Sequence, residues 1–382
     1  MTITEAVVLA GGVGSRLFPL TKHRPKPLVP ICNYTMLDWN FFVLATHGIT
    51  RVIVVVRYLG DQIKEYIENV TSKVHPQMEI IVPDVDSKDT ADALRLVSSY
   101  VKTDNFFVTM ADIVTNINLQ EMADFHLRKG GIATISLKSI DNQPKQFGVI
   151  LLNSESKILH FLEKPQPQEL YLTTLVFHKR ESVSYHTNLI NSGIYCFKRD
   201  ILDILNGFKD LMDFGKNVFP YLLERDLGIY GYTTENDYFW QDCGRPEQLL
   251  WTNWDVLKRW NWPYLPKGHE DNGSWYGKDR KIETNVKIFA PIVLGDEVEI
   301  KQGTTIKETS VGDKCKIGEN CSITSSIIWE NTIIGKNVKI KRAIISDRVN
   351  IGDNCIIEED AIIASGKSIP TNTHIKKGEV FE

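Results

Sequence analysis

The sequence has little that would suit a secreted, membrane-embedded or nucleic-acid-binding protein. Its six cysteines form no CxxC pair, which argues against a disulfide framework or a zinc site and favours a reducing cytoplasm. Its apolar runs, such as Val52–Val56, are far too short to span a bilayer. A net charge of −4 lacks the basic excess that binding to nucleic-acid phosphates or anionic lipids would need. We therefore expect a cytoplasmic protein that binds neither nucleic acid nor membrane.

Length and hydrophobic patterning predict two domains. The chain has 382 residues, whereas single hydrophobic cores stop growing at about 250 to 300 residues. Up to Leu250, short β-branched runs alternate with helical patterns, which predicts an α/β domain with a Rossmann-like, mostly parallel sheet. Pro246 is well placed to begin a late helix. The strand runs are Ala6–Leu9, Val52–Val56, Glu79–Val82 and Phe106–Met110.

The last hundred residues contain an internal repeat. Aliphatic residues recur every six positions from Ile282 to Ile375, and the step shortens to five at Val311, Ile328 and Ile345. A strict six-residue step suits a triangular solenoid with one short strand per side, whereas a helix would show steps of three and four. The pattern resembles the left-handed hexapeptide β-helix. We place the α/β domain at residues 1–260, a connector at 261–280 and a β-helix of about five coils at 281–382.

A glycine-rich turn directly follows the first strand. Gly11, Gly12 and Gly14 would let backbone N–H groups close on a phosphate, and Arg16 could neutralise it. The turn lacks the third glycine of the dinucleotide fingerprint and the Gly-Lys-Ser/Thr of a Walker loop. It therefore predicts a phosphate site of a different kind.

The segment after this turn is rich in proline and positive charge. Its four prolines prevent the turn from opening straight into a helix, so the chain must arch in an extended form. Lys22, Arg24 and Lys26 lie along this arch. A glycine turn and a cationic segment together can grip a triphosphate from two sides.

The two segments read GGVGSRLFPLTKHRPKPLVPI from Gly11 to Ile31, which resembles the signature of the sugar-1-phosphate nucleotidyltransferase family. The resemblance implies a Mg²⁺-dependent reaction of a nucleoside triphosphate with a sugar 1-phosphate, in which Arg16 and Lys26 hold the triphosphate. It covers nearly the whole chain, because family members commonly pair this α/β domain with the same β-helix. The residues of the turn that it assigns to the nucleotide are Leu9, Gly11, Gly12 and Gly14.

Two acidic residues are the candidates for Mg²⁺. Asp112 follows the apolar run Phe106–Met110, and ligands meet open parallel sheets at such strand ends. Mg²⁺ prefers one or two carboxylates plus substrate phosphates. The resemblance assigns the second carboxylate to Asp242, for which helix capping before Pro246 is the alternative role. The family usually has glycine where this chain has Ala111, which adds a methyl group beside the metal.

Three further residues match sugar-phosphate contacts of the family. Glu163 and Lys164 stand in the Glu-Lys-Pro element, where the resemblance implies that the acid accepts sugar hydroxyls and the lysine neutralises the phosphate. Asn191 matches another sugar contact.

Base recognition departs from the family pattern. The family's Gly-Thr-Ala element is Asp89-Thr90-Ala91 here, with an acid in place of the glycine. Uridylyl and thymidylyl relatives tend to have an amide side chain where this chain has Asp84. A carboxylate accepts from adjacent ring N–H and exocyclic amine donors, which guanine offers and uracil or thymine does not. We therefore predict GTP and mannose 1-phosphate, with uridylyl, thymidylyl or adenylyl transfer to glucose 1-phosphate as the alternative.

Two other functions compete with this hypothesis. β-Helices also occur in acyltransferases, but these repeats contain only one histidine, His374 near the end. A non-catalytic sensor or regulatory subunit would explain the departures at Ala111 and Asp89. Against it, the charged residues expected at the phosphates and the metal are all present, namely Arg16, Lys26, Asp112, Lys164 and Asp242. The open ends of the solenoid also lead us to expect a homo-oligomer that forms through it.

Overall fold

The computed structural model describes residues 3–139, 148–163, 183–184, 189–234 and 237–382. The chain forms two compact units, each built from separate stretches of sequence. The first unit comprises Met1–Gly12, Asn40–Ile113 and Ile117–Trp240, and the second comprises Val13–Trp39, Val114–Asn116 and Gln241–Glu382. The proline-rich arch thus groups with the C-terminal segment. The prediction of an extended form is wrong for much of it, because Ser15–Leu17 and Lys26–Leu28 form 3₁₀ turns and the Lys22 N–H donates to the Pro19 carbonyl. The sequence boundaries at residues 260 and 280 stay a prediction.

The helix predicted at Pro246 is confirmed. It spans Pro246–Leu257, has the proline in its first turn and buries Leu249 and Leu250. Within the described ranges, no helix has both the length and the apolar character needed to cross a membrane. The α-helices are α1 (Met36–Thr46), α2 (Gly60–Tyr66), α3 (Ser72–Val74), α4 (Thr90–Leu96), α5 (Leu119–Lys129), α6 (Asp200–Gly207), α7 (Phe219–Glu224) and α8 (Pro246–Leu257).

Strands form at all four of the predicted runs, although β5 ends at Ile81, one residue before the predicted end. All six residues of β1 are buried, as expected for a strand covered on both faces. The strands before residue 243 are β1 (Glu5–Ala10), β2 (Pro30–Ile31), β3 (Tyr34–Thr35), β4 (Arg51–Val56), β5 (Glu79–Ile81), β6 (Asn105–Met110), β7 (Ile113–Thr115), β8 (Ala133–Ser139), β9 (Gly148–Asn153), β10 (Ile158–Glu163), β11 (Val183–Ser184), β12 (Leu189–Lys198), β13 (Ile229–Tyr232) and β14 (Trp240–Asp242).

The first unit is built on one large sheet with the order β10-β9-β12-β6-β1-β4-β5. The predicted parallel sheet is confirmed for β6, β1, β4 and β5, which all pair in parallel. The sheet then continues through β12, which runs antiparallel to β6 with Ile194 opposite Thr109. β8 pairs with β12, and β13 adds a parallel partner to β8. Because β1, β4, β5 and β6 share a direction, the loops after them meet at one edge of the sheet.

The second unit contains a parallel β-helix with three faces, as the six-residue repeat predicts. Successive coils stack in register, so that Ile306 pairs with Ile323 and Ile323 with Ile340, a separation of seventeen residues. Their side chains are buried and form the inner core. Three sheets result, one for each face. The coils pair in parallel, whereas β15, at the edge of one sheet, runs antiparallel to β16. Oligomerisation through this β-helix stays a prediction.

The strands of these three sheets are two or three residues long. They are β15 (His269–Asp271), β16 (Ser274–Tyr276), β17 (Lys281–Ile282), β18 (Lys287–Phe289), β19 (Val293–Leu294), β20 (Glu299–Ile300), β21 (Thr305–Lys307), β22 (Ser310–Val311), β23 (Lys316–Ile317), β24 (Ser322–Thr324), β25 (Ile327–Ile328), β26 (Ile333–Ile334), β27 (Lys339–Lys341), β28 (Ile344–Ile345), β29 (Asn350–Ile351), β30 (Ile356–Ile357), β31 (Ile362–Ile363), β32 (Ser368–Ile369), β33 (His374–Ile375) and β34 (Val380–Phe381).

Glycine is required where one coil rests directly on the next. A Cβ atom added to Gly318 would lie 2.5 Å from the carbonyl oxygen of Gly335. This contact is with backbone, which cannot swing away as a side chain would. The glycines that follow the inward aliphatic positions therefore set the spacing of the coils.

A buried histidine links α5 to the sheet of the first unit. His126 is 2% exposed, and its ring nitrogens lie 2.8 Å from Thr134 Oγ1 and 3.1 Å from Asn105 Oδ1. Burial disfavours the charged imidazolium and lowers the pKa of His126 to about 4. The folded state thus holds this residue neutral.

We predict that His126 makes the stability of the protein fall in mild acid. Its contribution is complete above the unfolded pKa of about 6.5 and is lost as the pH falls toward 4, about 2 kcal/mol of it by pH 5. Urea denaturation at pH 7 and pH 5 would measure this loss in the wild type and in His126→Gln, which does not titrate. The wild type should lose more stability than the variant, and parallel losses would contradict the assignment.

Candidate active site

In the first unit, the glycine turn and Asp112 lie at the same edge of the sheet. The parallel register of β1 and β6 places Leu9 opposite Met110, and the Ala111 N–H donates to the Leu9 carbonyl at 3.0 Å. Leu9 and Ala111 are buried, whereas Asp112 is partly exposed. The strand pairing thus carries the start of the turn and the first carboxylate to one place.

Gly11 and Gly12 differ in the space around them. A Cβ atom on Gly11 would lie 3.3 Å from Arg57 Cβ, while one on Gly12 would meet nothing within 4 Å. Gly12 is exposed, so its backbone is open to a ligand. Arg57 follows β4 and adds a cation beside the turn that our sequence analysis missed. The signal was a basic residue directly after the apolar run Val52–Val56.

Asn191 lies near the same edge because β12 runs antiparallel to β6. Its side-chain oxygen accepts from the Gly193 N–H at 2.9 Å, and its amide nitrogen donates to Tyr195 Oη at 3.0 Å. A Cβ on Gly193 would lie 2.7 Å from the Ile113 side chain and 3.1 Å from that of Met110. The close approach and the positive φ of Gly193, +76°, explain the glycine in this bend.

The three residues expected at the base follow β5. Asp84 is fully exposed, and its carboxylate lies 3.5 Å from Lys64 Nζ. Asp89 caps α4 by accepting from the Thr90 N–H at 2.9 Å. The Thr90 hydroxyl donates to Asp213 at 3.2 Å. Partial burial, with the nearby Asp213 carboxylate, raises the pKa of Asp89.

This arrangement explains what the acid at position 89 does in place of glycine. Its side chain satisfies a helix N-terminus in its own segment, so the helix gains a cap. Asp84 keeps an exposed carboxylate.

The remaining sugar-phosphate candidates are only partly covered. Glu163 is the last residue of β10. Lys164 lies outside the described residues. Their roles stay predictions.

In the second unit, Lys26 and Asp242 come together although 216 positions separate them in sequence. Lys26 Nζ lies 3.6 Å from Asp242 Oδ1, and the lysine side chain is 6% exposed. A buried ammonium group requires a nearby negative charge, since removal from water would otherwise cost several kcal/mol. Asp242 supplies such a charge.

Two glycines allow this close packing. Gly14 has a φ of +67°, and a Cβ atom there would lie 3.1 Å from Lys26 Cβ. A Cβ atom on Gly244 would lie 2.9 Å from Arg16 Nη2 and 3.1 Å from Asp242 Oδ1. Arg16 and Asp242 therefore both lie beside Gly244. We had not singled out Gly244, whose signal was its place two residues after an acid and two before a helix-starting proline.

The predicted site residues thus form one group in each unit. The first unit brings Leu9, Gly11, Gly12, Asp112 and Asn191 to one sheet edge. Asp84 and Asp89 lie on the loop after β5, and Thr90 is the first residue of α4. The second unit gathers Gly14, Arg16, Lys26 and Asp242. Within the described part of the chain, no three His, Cys, Asp or Glu side chains are grouped as a metal site.

Comparison with known proteins identifies the class to which these groups belong. Residues 5–259 match the family model described as Nucleotidyl transferase, and residues 272–375 match the EIF2B subunit epsilon LbH domain, a left-handed β-helix. The chain belongs to the nucleotidyl transferase family.

Relatives with known names are moderately similar. The mannose-1-phosphate guanyltransferase of Kluyveromyces lactis is 30% identical over 250 residues, 64% of this chain and 63% of the relative. The UTP–glucose-1-phosphate uridylyltransferase of Synechocystis is 26% identical over 80% of this chain and 82% of the relative. The mannose-1-phosphate guanylyltransferase catalytic subunit beta of Drosophila melanogaster is 28% identical over 65% of this chain and 61% of the relative. This chain therefore spans less than two thirds of the length of the first and third relatives.

We predict that Gly12→Ala weakens nucleotide binding without loss of stability. The added methyl group meets no protein atom within 4 Å but would occupy the space above an exposed backbone. Loss of one hydrogen bond to a charged group, about 1.5 to 3 kcal/mol, should raise the KM for the triphosphate roughly tenfold or more. Steady-state kinetics and thermal melting would measure both effects.

Gly207→Ala is the matched control, because a Cβ atom there also meets nothing within 4 Å and Gly207 ends α6. It should leave KM unchanged and should not lower the melting temperature, because alanine favours helix more than glycine does. An unchanged KM in Gly12→Ala would remove the turn from the phosphate site.

Proposed function

We propose that this chain transfers a nucleotidyl group from a nucleoside triphosphate to a sugar 1-phosphate and releases pyrophosphate. The observation that carries the proposal is the cluster of Arg16, Lys26 and Asp242 around Gly244, formed by the family signature and the later acidic segment. Two cations beside one acid suit a triphosphate with its metal ion. The names of the relatives support the same reaction class.

The donor set supports Mg²⁺ as the metal. Asp112 and Asp242 offer carboxylate oxygens, which are the ligands that Mg²⁺ prefers. Two carboxylates leave other coordination positions for substrate phosphates and water, and Mg²⁺ is usually bound in this way. When bound, Mg²⁺ would neutralise charge on the phosphates as the leaving group departs.

The chain's own residues would act by charge and position. The attacking phosphate oxygen of the sugar 1-phosphate is already anionic near neutral pH, so no general base is needed. Arg16 and Lys26 would hold the β- and γ-phosphates and stabilise the charge that accumulates on pyrophosphate. The turn at Gly11 and Gly12 would donate backbone N–H groups to the same phosphates. Lys164 would offset the charge of the incoming sugar phosphate.

The alignment of the two reactants would depend on the first unit. Asn191 already has its amide fixed by Gly193 and Tyr195, so it would present an ordered side chain to sugar hydroxyls. Glu163 would accept from further hydroxyls. Fixed hydrogen-bonding groups of this kind hold the attacking oxygen in line with the α-phosphorus.

We propose GTP and mannose 1-phosphate as the preferred pair. Asp84 presents an exposed carboxylate, which can accept from the ring N–H and exocyclic amine of guanine. Two of the relatives described above are named as guanylyl transferases acting on mannose 1-phosphate, while the Synechocystis relative is named as a uridylyltransferase.

We predict that Asp112→Asn nearly abolishes pyrophosphate release and leaves the protein folded. Removal of one charge-stabilising group commonly lowers the rate about 10² to 10³-fold. A coupled pyrophosphate assay would measure the rate, and circular dichroism would check the fold. Asp226→Asn is the control, since Asp226 is 81% exposed and pairs with Lys157 at a distance of 2.5 Å. Near-normal turnover by Asp112→Asn would exclude this residue from the metal site.

We predict that GTP is used with a higher kcat/KM than UTP, dTTP or ATP when mannose 1-phosphate is fixed. Asp84→Asn should reduce this preference roughly tenfold, because an amide cannot accept from two donors as a carboxylate does. The exposed Asp61→Asn provides a control for charge alone. Equal or better turnover of UTP or dTTP would reject the guanylyl assignment while leaving nucleotidyl transfer intact.

A further inference from the structure

Side chains of the β-helix contact Arg24 of the proline-rich arch. The Arg24 guanidinium pairs with the Glu330 carboxylate and lies 3.5 Å from Asp347 Oδ1. It also lies over the Trp329 ring, 4.9 Å from its centroid. Arg24 therefore combines two ion pairs with a cation–π contact, and its side chain is only 20% exposed.

Removal of a charge from this cluster should destabilise the protein, because much of the cluster is buried. The Asp347 side chain is 4% exposed, and Trp329 is 1% exposed. Loss of Arg24 would remove a positive charge from a buried carboxylate, which still pairs with Arg348 at 2.7 Å. The contact is thus more than a solvent-exposed surface pair.

Arg24 also holds the segment that carries Lys26. Its Nη1 donates to the Leu28 carbonyl at 3.4 Å, across the single 3₁₀ turn of Lys26–Leu28. Lys26 lies within this turn, with Nζ 3.6 Å from Asp242. A shift of the Arg24 side chain would therefore act on the backbone beside Lys26.

The far end of the arch is fixed to the β-helix as well. The Asn33 amide donates to the Val311 carbonyl at 2.8 Å. Asn253 Oδ1 accepts from the Cys32 N–H at 2.8 Å and from the Ser310 hydroxyl at 3.1 Å. Lys26 thus sits between two points at which the arch is bound to the coils.

We propose that Arg24 is a positioning residue for Lys26, and that the β-helix takes part in catalysis by fixing Arg24 through Glu330, Asp347 and Trp329. This inference rests on the proposed function, in which Lys26 holds the triphosphate. The β-helix is then a support for the proline-rich arch.

The test is a double-mutant cycle of Arg24→Met, Glu330→Gln and their combination. Arg24→Met should lower kcat/KM for the triphosphate roughly 10 to 100-fold, since small misplacements of a binding group have effects of this size. The KM for the sugar phosphate should stay within twofold, because Lys26 is assigned to the triphosphate. The double variant should be little worse than Arg24→Met, which identifies a shared effect. Arg24→Lys should be intermediate, because it keeps the charge and loses the planar fork.

Arg342→Met is the matched control. Arg342 also belongs to the β-helix, pairs with Asp360 at 2.8 Å and lies 5.9 Å from the centroid of a tryptophan ring, that of Trp254. It should lower thermal stability no more than Arg24→Met does, because the Arg342 side chain is 37% exposed, while kcat/KM of the folded protein stays within twofold of the wild type. Equal kinetic losses in both variants, or wild-type kinetics in Arg24→Met, would overturn the inference.

Two readouts keep the inference separate from the proposed function. If Arg24→Met does not fold, Glu330→Gln is tested in its place. Its kcat/KM for the triphosphate should fall by a smaller factor, and wild-type kinetics in this variant would overturn the inference.

If the wild type binds Mg²⁺–GTP but releases no pyrophosphate, the proposed function fails. The positioning role of Arg24 is then tested by the calorimetric affinity for Mg²⁺–GTP. Arg24→Met should then bind at least tenfold more weakly than Arg342→Met, and equal affinities would contradict the positioning role. Absence of GTP binding by the wild type would overturn both.

Discussion

The proline-rich arch of the second unit places a lysine in a buried position. Lys26 has 6% of its side chain exposed, and an ammonium group in such a place needs a negative partner. Asp242 is brought within 3.6 Å of it from the other end of the sequence. The close packing around this pair also explains Gly14 and Gly244. A side chain at either position would come too close to Lys26, or to Arg16 and Asp242. In the proposed reaction, the metal-bound triphosphate would add its charges to those of Lys26 and Asp242.

The β-helix holds the proline-rich arch on which Lys26 lies. Its core of stacked aliphatic residues and its glycine contacts make a rigid element, and Arg24 and Asn33 bind the arch to it. Rigid elements hold binding groups more reproducibly than loops do. A proline-rich segment of short 3₁₀ turns could not fix a lysine alone, so its attachment to a solenoid gives a reason for the pairing of these two parts in one chain. The first unit contributes a second fixed framework, in which parallel strands carry Gly11 and Asp112 to one edge.

Much of the fold could be predicted from periodicity. The six-residue steps from Ile282 to Ile375 are confirmed because each inward aliphatic residue stacks on its counterpart one coil away. The parallel strands were recognisable as apolar runs of four to six residues, and Pro246 marked a helix start. The antiparallel part of the first sheet was not predicted, because strands such as β12 mix apolar residues with Asn191, Ser192 and Gly193 and are fixed by pairing across the sheet.

The site was less accessible to sequence reasoning. Residue types and the signature predict roles for Arg16, Lys26, Asp112 and Asp242. Ion-pair partners distant in sequence, such as Glu330 for Arg24, leave no local pattern. Arg57 and Gly244 were missed for the same reason, since their importance comes from what lies beside them in space. Asp89 shows the opposite case, where a departure from the family pattern has a local explanation as a helix cap.

The most direct test of the account is the stoichiometry of the reaction followed by ³¹P nuclear magnetic resonance, with GTP, mannose 1-phosphate and Mg²⁺ supplied to the intact chain. The account predicts that the sugar phosphate signal is replaced by a diphosphate diester while pyrophosphate appears in equal amount, and that neither forms when the sugar phosphate is omitted. Release of inorganic phosphate in place of pyrophosphate, or no change in any signal, would contradict it.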